Sequence, residues 1–580
     1  MIIGPLSLYV SKLGLVTGSC HFGQLDLAKT GLSGWMNSPL TPPWSWLDLP
    51  APHQREFDRP GVWTDQTLAD MAIDRALREP DAPMLVEAQQ TWRLGDLVTD
   101  ATALAASLSA RGLRPGEVIA FQLPNWGEAA VVNLAASIGG YVINPIVPIY
   151  RDSEVAMMLG DARVRALFVP ASFRRFDYVA MAERLAQRLP DLRHIITVRG
   201  SGTNDLSDLI AEGRTLSFDR PKVDARSVKL LLYTSGTTGR PKGVLHSEAT
   251  LHRVTRASAD HWRISKGEAM LMPSPVTHIS GYGNGLQLPF VVGTVSILME
   301  SWNAADALAL IDRHQVTGTV AATPFLVELA AAARAAGNRL PSLRYFACGG
   351  AAVPDDLIPA ATAAFDGCQA FRVFGSSEVP LVTYGWPNYS ARAATSDGQV
   401  IDYRVRIVGD DGAELPVGEE GEIVARGPAM MLGYADRDQT IEAIDADGFF
   451  HTGDLGMLDE AGGLTVTGRK KDLIIRGGEN ISAREIEEVL HAHPGVREAA
   501  VVAMPHERLG EGVCAFVIAT DPAPDSATLA AHVGASGLAR QKIPERFLFV
   551  GEFPRTASGK IRKDQLRATV REIVSRAQDR

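Results

Sequence analysis

At 580 residues the chain exceeds what one hydrophobic core supports, and roughly 150 residues per domain asks for about four domain-sized units before motifs join any of them. Hydrophobic residues at 46% with charged residues at 21% exclude a largely disordered chain, and 54 glycines with 34 prolines are too few for a collagenous or low-complexity polymer. A net charge of −10 offers no broad basic face to a nucleic-acid backbone, which leaves room only for a local anion pocket.

Residues 1–17 carry Lys12 in mid-run and lack a basic start, so they make a poor secretory signal, and they are too short to cross a bilayer. Residues 1–55 are rich in Pro, Trp and Ser without helical or strand period, and Met36 lies among them. The segment reads as a loose extension or as the product of a misassigned start. The four cysteines, Cys20, Cys348, Cys368 and Cys514, form no CxxC pair and no zinc or disulfide spacing, as expected in a reducing, cytoplasmic compartment.

From Trp63 to residue 170 helical and strand patterns alternate, with helices expected over 67–77, 97–110 and 128–138 and strands over 117–123 and 166–170. Strands resume over 229–233, 269–272, 317–321, 344–347 and 371–374. Helices between short apolar strands predict a layered α/β body with mostly parallel pairing. Beyond residue 400, β-branched runs at 405–408, 422–425 and 464–467, separated by Gly and Asp turns, predict a small twisted β subdomain.

A third texture begins at Arg469: a strand over 472–476, a Gly477-Gly478 turn, and Ser482-Ala-Arg-Glu485 with capping-box spacing ahead of a helix over 483–492. Strands over 499–504 and 514–519, a helix near 527–534 and an apolar run over 547–553 complete a separate α+β unit. The fold class is therefore α/β, with a large layered N-terminal body over 56–468 and a smaller α+β C-terminal domain over 469–580. The two meet at the charged junction over 468–472. No internal repeat or heptad run is present.

The sharpest local signal is Tyr233-Thr-Ser-Gly-Thr-Thr-Gly-Arg-Pro-Lys-Gly243, directly after the apolar strand over 229–232. Glycines, hydroxyls and a lysine in so short a stretch make a loop whose backbone N–H groups can surround a polyphosphate, with Lys242 adding a point charge. Pro241 and Gly243 flank that lysine, whereas a Walker A loop has Ser or Thr after it, so a P-loop NTPase is disfavoured.

At this string the chain resembles the adenylate-forming superfamily: acyl-CoA synthetases, aryl-CoA ligases, firefly-type luciferases and stand-alone adenylation domains. Further matches follow in the family's order. Pro275-Val-Thr-His278-Ile-Ser-Gly281 resembles the segment that meets the acyl substrate, and Gly349-Gly350-Ala351-Ala352 the adenine-pocket turn. Phe374-Gly375-Ser376-Ser377-Glu378 is similar to the motif usually read Tyr-Gly-x-Thr-Glu. His451-Thr-Gly-Asp454, Gly468-Arg469-Lys-Lys471-Asp472 and Pro554-Arg-Thr-Ala-Ser-Gly-Lys560 complete the set. The likeness spans residues 60 to 575.

The resemblance implies a carboxylic acid, ATP and coenzyme A as substrates and Mg²⁺ as cofactor. Thr234, Ser235, Gly236, Thr237, Thr238, Gly239 and Lys242 are then the β/γ-phosphate cradle, Ser377 the contact to the α-phosphate, and Glu378 the metal ligand. One carboxylate suffices because a nucleotide brings its own oxygens to magnesium. Gly350, Ala351 and Ala352 border adenine, with Gly375 and Ser376 in the opposite turn. Phe374 stacks on the base where most relatives have Tyr, which keeps the π-face and loses a hydroxyl. Asp454 accepts the ribose hydroxyls and Arg469 reaches ribose or phosphate.

Lys560 bridges the carboxylate and α-phosphate during adenylation. It is withdrawn when the C-terminal domain rotates about Lys471, and Gly477 and Gly478 then line a thiol channel. His278 walls or gates the acyl pocket, with no acid–base role assigned.

Amino-acid-activating relatives carry an acid just after the acyl motif; Val276-Thr-His-Ile-Ser has none. The neighbouring pocket candidates Tyr282, Phe325, Cys348, Val379 and Pro380 suit an apolar tail. The run Asn144-Pro-Ile-Val-Pro-Ile-Tyr-Arg151 and the Phe-Gly-Ser-Ser-Glu form are similar to bacterial medium-chain and cyclohexanecarboxylate-type acyl-CoA ligases. The expected activity is an AMP-forming ligation of a medium-chain or alicyclic acid to CoA; the alternative is a stand-alone adenylation enzyme that loads a carrier protein. No nucleic-acid partner and no integral membrane segment are expected, and a homodimer stays open.

Overall fold

The computed structural model describes residues 44–49, 51–234, 241–350, 353, 357–385, 392, 395–477, 479–556 and 559–578. By its contacts the chain divides into Met1–Thr41 and Pro42–Arg580, and the second unit contains four sheets.

Two of these sheets build the body. The first orders its strands Gln369–Val373, Tyr345–Gly349, Gly318–Ala321, Ala269–Met272, Val295–Leu298, Pro83–Glu87 and Gln90–Arg93, parallel throughout except for the final hairpin. The second orders Gly433–Tyr434, Lys242–Ser247, Val228–Thr234, Val142–Pro145, Val118–Phe121, Ala166–Pro170 and His194–Val198. Its last four pairings are parallel and its first two antiparallel.

Strands Val118–Phe121 and Ala166–Pro170 are buried along their whole length, as continuous apolar runs must be when helices cover both faces of a parallel sheet. Every residue of the helix Gly127–Gly139 except Glu128 is buried too, in keeping with a sequence apolar on nearly all sides.

The third sheet, the antiparallel meander Arg404–Val408, Gly421–Arg426, Phe450–Leu458 and Leu464–Arg469, is the expected small β subdomain. The C-terminal sheet orders Glu479–Ile481, Ile474–Arg476, Gly510–Ala519 and Val496–His506. Arg546–Phe549 runs parallel to Gly510–Ala519. Helix Ala483–His491 covers this sheet through Ile486 and Leu490, and helix Lys563–Gln578 covers it through Leu566 and Val570, giving the C-terminal domain cores of its own.

Two local expectations change. The capping box at Ser482 does not form: its hydroxyl donates to the Thr467 carbonyl at 3.3 Å, and Glu485 pairs with Lys542 at 2.6 Å. Tertiary partners outcompete the local cap.

After the phosphate-type loop, Lys242–Ser247 forms a strand that returns alongside Val228–Thr234. Ser247 then caps helix Glu248–Trp262.

The described end of the segment expected to be loose is packed. Trp44 is buried, and Gln54 donates from its buried amide to the carbonyls of Met430 at 2.6 Å and Met431 at 3.2 Å. A buried amide needs such partners, and the β subdomain provides them.

Candidate active site

The strand pair that carries the phosphate-type loop aligns Thr234 with Lys242, so residues 235–241 bridge the two strand ends. Ser235, Gly236, Thr237, Thr238 and Gly239 lie outside the described residues. Lys242 holds its ammonium 4.9 Å from the ring centroid of Tyr434, a cation–π contact. The Tyr434 hydroxyl donates to Glu378 Oε1 at 3.0 Å. One tyrosine therefore joins the loop lysine to the glutamate expected to hold a metal, and it fixes one carboxylate oxygen.

The turn that carries Glu378 is held from several sides. Phe374 N–H donates to Thr383 Oγ1 at 2.8 Å. Ser376 Oγ accepts from the N–H groups of Glu378 at 3.2 Å and Val379 at 3.3 Å. Met431 N–H donates to the Glu378 carbonyl at 2.8 Å, and His246 Nε2 lies 2.7 Å from the Ser377 carbonyl. Gly375 permits this crowding: a Cβ there would sit 2.4 Å from Leu381 N. Phe374 is half-buried against the β subdomain.

Lys560 comes to this same cleft from the C-terminal domain. Its loop is closed by Thr556 N–H donating to the Lys560 carbonyl at 2.7 Å. Gly559 sits beside Pro324, and the Lys560 Cε beside Gly350, 3.8 Å from where a Cβ on that glycine would lie. Ala351 and Ala352 lie outside the described residues. Desolvation by the neighbouring protein and the nearby Arg469 and Lys471 charges lower its pKa to about 8, opposed by Asp454 and Glu378. The side chain still reaches solvent, as a cation in an open cleft does.

Asp454 is 5% exposed, and burial raises its pKa against the pull of Arg469, Lys560 and Lys471. Arg469 Nε meets Asp454 Oδ1 at 2.7 Å, across the pairing of their two strands. A cavity of about 350 Å³ opens beside the pair, lined by Thr452, Gly453, Arg469, Lys470 and Lys471. Lys470 is tied to the β subdomain by Asp410 at 3.2 Å and Glu422 at 3.3 Å. Burial and the Arg469 charge lower the Lys471 pKa.

His278 stands directly ahead of the short helix Ile279–Gly281. Burial and the Lys560 charge lower its pKa to about 4, so its ring is neutral at pH 7. Asn125 anchors the segment before it, accepting from Val276 N–H at 2.8 Å and donating to the Met272 and Ser274 carbonyls. Of the pocket candidates, Phe325 keeps partial exposure, whereas Tyr282, Cys348, Val379 and Pro380 are buried. Tyr282 turns its hydroxyl into the core, onto Asn133 Oδ1 at 2.7 Å.

Lys242, Glu378, Gly350, Asp454, Arg469, Lys471, His278 and Lys560 are thus neighbours around one cleft, with Phe374, Gly375, Ser376 and Ser377 in its wall. Gly477 turns at φ +62° against Leu509 within the C-terminal sheet, and Gly478 lies outside the described residues. Tyr434, His246 and Asn125 were not foreseen. A signal existed only for His246, which strand alternation from Lys242 places on the same face.

Among the described residues no group of three or more His, Cys, Asp or Glu could hold a metal by itself. Glu378, with Oε1 engaged by Tyr434, fits an ion that draws most of its ligands from phosphate oxygens.

Comparison with known proteins follows the same division. The AMP-binding enzyme family model matches residues 73–435, and the AMP-binding enzyme C-terminal domain model matches residues 485–560. The chain is 33% identical to a medium-chain fatty-acid–CoA ligase of Escherichia coli (strain K12), over 89% of this chain and 92% of that protein. It is 31% identical to a 2,3-dihydroxybenzoate-AMP ligase of Bacillus subtilis (strain 168), over 89% and 96%. Among solved structures, ATP-bound MatB from Rhodopseudomonas palustris superimposes with a TM-score of 0.79 at 28% identity, covering 88% of this chain and all of that one.

Tyr434→Phe keeps the ring under Lys242 and removes the hydroxyl from Glu378. Its expected effect, with Glu378 serving the nucleotide site, is a roughly tenfold weaker affinity for ATP, the loss of one hydrogen bond to a charged acceptor, with an unchanged melting temperature. Titration calorimetry beside thermal unfolding checks it; wild-type affinity would show that Glu378 does not depend on the tyrosine.

Proposed function

The chain belongs to the AMP-binding enzyme family, and on that premise we propose that it is an ATP-dependent acid–thiol ligase that joins a medium-chain or alicyclic carboxylic acid to coenzyme A. In the first step a carboxylate oxygen bonds to the α-phosphorus of ATP, the bond from that phosphorus to the bridging oxygen breaks, and pyrophosphate leaves. In the second the thiol, having lost its proton, bonds through sulfur to the acyl carbon, and AMP departs with the electron pair of the broken C–O bond.

The observation that carries this reading is Lys560 beside Gly350, within electrostatic reach of Glu378, Asp454 and Arg469. Two anions must approach closely in the first step, and a cation between carboxylate and α-phosphate lowers that repulsion most where charge builds up. Lys242 and the loop 234–239 take the β- and γ-phosphates. Ser377 takes the α-phosphate, Phe374 stacks on adenine beside residues 350–352, and Asp454 with Arg469 takes the ribose. Glu378 would hold Mg²⁺, which supplies further charge neutralisation on the phosphates.

The second step needs the acyl carbon open to sulfur, where Lys560 now stands. Rotation of the C-terminal domain beyond Lys471 removes Lys560 and brings Gly477 and Gly478 toward the acyl group as walls of a thiol channel. Lys470, tied to Asp410 and Glu422, marks the fixed side of that pivot. His278, neutral and half-buried, walls the acyl pocket.

An apolar tail is favoured by Phe325, Cys348, Val379 and Pro380 around the acyl segment, and the E. coli relative named for a medium-chain acid agrees with it. The alternative acceptor, a carrier protein, is kept because the B. subtilis relative is named for its adenylate. Free CoA suits a cytoplasmic enzyme, and among the described residues no helix is long and apolar enough to cross a membrane.

Pyrophosphate release measured across a panel of carboxylic acids, with and without CoA, tests the proposal. Medium-chain or alicyclic acids are expected to give the fastest release and, with CoA, a thioester plus AMP. Release that never yields a CoA thioester would replace CoA by a carrier protein.

The lowered Lys560 pKa adds a pH signature. The lysine is charged below about pH 8 and neutral above it, so kcat/KM for ATP in the adenylation half-reaction is expected to fall about tenfold per pH unit beyond that point. Lys560→Arg, which stays charged, should lack this alkaline limb whatever its absolute rate. The same limb in both proteins would assign it to another group.

A further inference from the structure

We infer that His246 is a positioning residue for nucleotide activation: its imidazole locks the strand that follows the phosphate loop to the turn that carries Ser377 and Glu378. The inference rests on the ligase reading and adds to it a residue outside the motifs from which that reading is built.

Lys242, Val244 and His246 alternate along Lys242–Ser247 and therefore share a face. Their contacts agree. Lys242 lies over the Tyr434 ring, Val244 packs with Val379 and Tyr434, and His246 meets the Ser377 carbonyl at 2.7 Å. A carbonyl can only accept, so Nε2 carries the proton, and Nδ1 faces Thr250 Oγ1 at 3.2 Å as an acceptor. Both ring nitrogens are engaged, no part of the side chain is exposed, and burial lowers the pKa to about 4, which keeps the ring neutral.

The consequence is geometric. Residues 242 and 377 belong to different sheets' loops, yet the phosphates they are proposed to hold are bonded to one another, so their separation must be fixed to within tenths of an ångström. Tyr434 fixes the glutamate side chain, and Met431 N–H fixes the Glu378 carbonyl. The Ser377 carbonyl is fixed by His246, four residues along the same strand from Lys242. Removing the imidazole leaves that buried carbonyl without its donor and frees the turn to shift relative to the loop.

The test is a series at position 246, read by acid-dependent ATP–pyrophosphate exchange and thermal unfolding. His246→Gln can place an amide N–H near the Nε2 position and should retain kcat/KM for ATP within a few-fold. His246→Asn, whose shorter amide stops near the Nδ1 position, and His246→Leu should each lose roughly tenfold or more through a raised KM for ATP, with KM for the acid unmoved. Should the leucine variant fail to fold, the Gln–Asn contrast decides by itself.

Wild-type KM for ATP in His246→Asn, equal loss in the Gln and Asn variants, or a parallel rise in both KM values would overturn the inference. Absence of exchange in the wild type with every acid would overturn the ligase reading instead, so the two failures are distinguishable.

Discussion

Asp454 is the point on which the arrangement turns. A carboxylate at 5% exposure is stable in its charged form only with a cation against it, and Arg469 supplies that cation at 2.7 Å from the neighbouring strand of the same meander. The chain leaves the meander immediately after this arginine, through Lys470–Asp472. The last fixed charge of the body is therefore also the first residue of the connection to the C-terminal domain. Whatever that domain does is referred to Asp454, and Lys560 stands close enough to feel it.

The second organising element is the short strand Lys242–Ser247. It is paired on one edge with the strand that enters the phosphate-type loop and on the other with Gly433–Tyr434. This double pairing brings Lys242, Tyr434 and the Ser376–Glu378 turn into contact. Three separate segments of the body thus meet at this wall of the cleft, and one lysine comes to it from the C-terminal domain. That composition suits a site whose positive charge must be complete for one reaction and reduced for the next.

Much of this was legible in the residues. The fully apolar strands at 118–121 and 166–170 and the buried helix over 127–139 announce a layered α/β body, because burial on both faces leaves no alternation to misread. The motif strings placed Lys242, Glu378, Asp454, Arg469 and Lys560 in one functional set, and they are neighbours in space. The gaps have a common physical origin in long-range partners.

His246 meets Ser377 across 131 residues and Tyr434 meets Glu378 across 56, distances at which local spacing carries no information. Gln54 is fixed by a carbonyl 376 residues away, so its segment showed no period and read as loose. At Ser482 the local capping pattern was real, but the Thr467 carbonyl and Lys542 offered its two polar residues other partners.

The proposal that a domain delivers charge for one step and withdraws it for the next meets its most direct test in Lys560→Ala, with the two half-reactions measured separately. Acyl-adenylate formation should be lost, while thioester formation from a supplied acyl-adenylate should stay close to wild type, because the lysine serves only the step in which two anions meet. Equal loss of both half-reactions would contradict that division of labour.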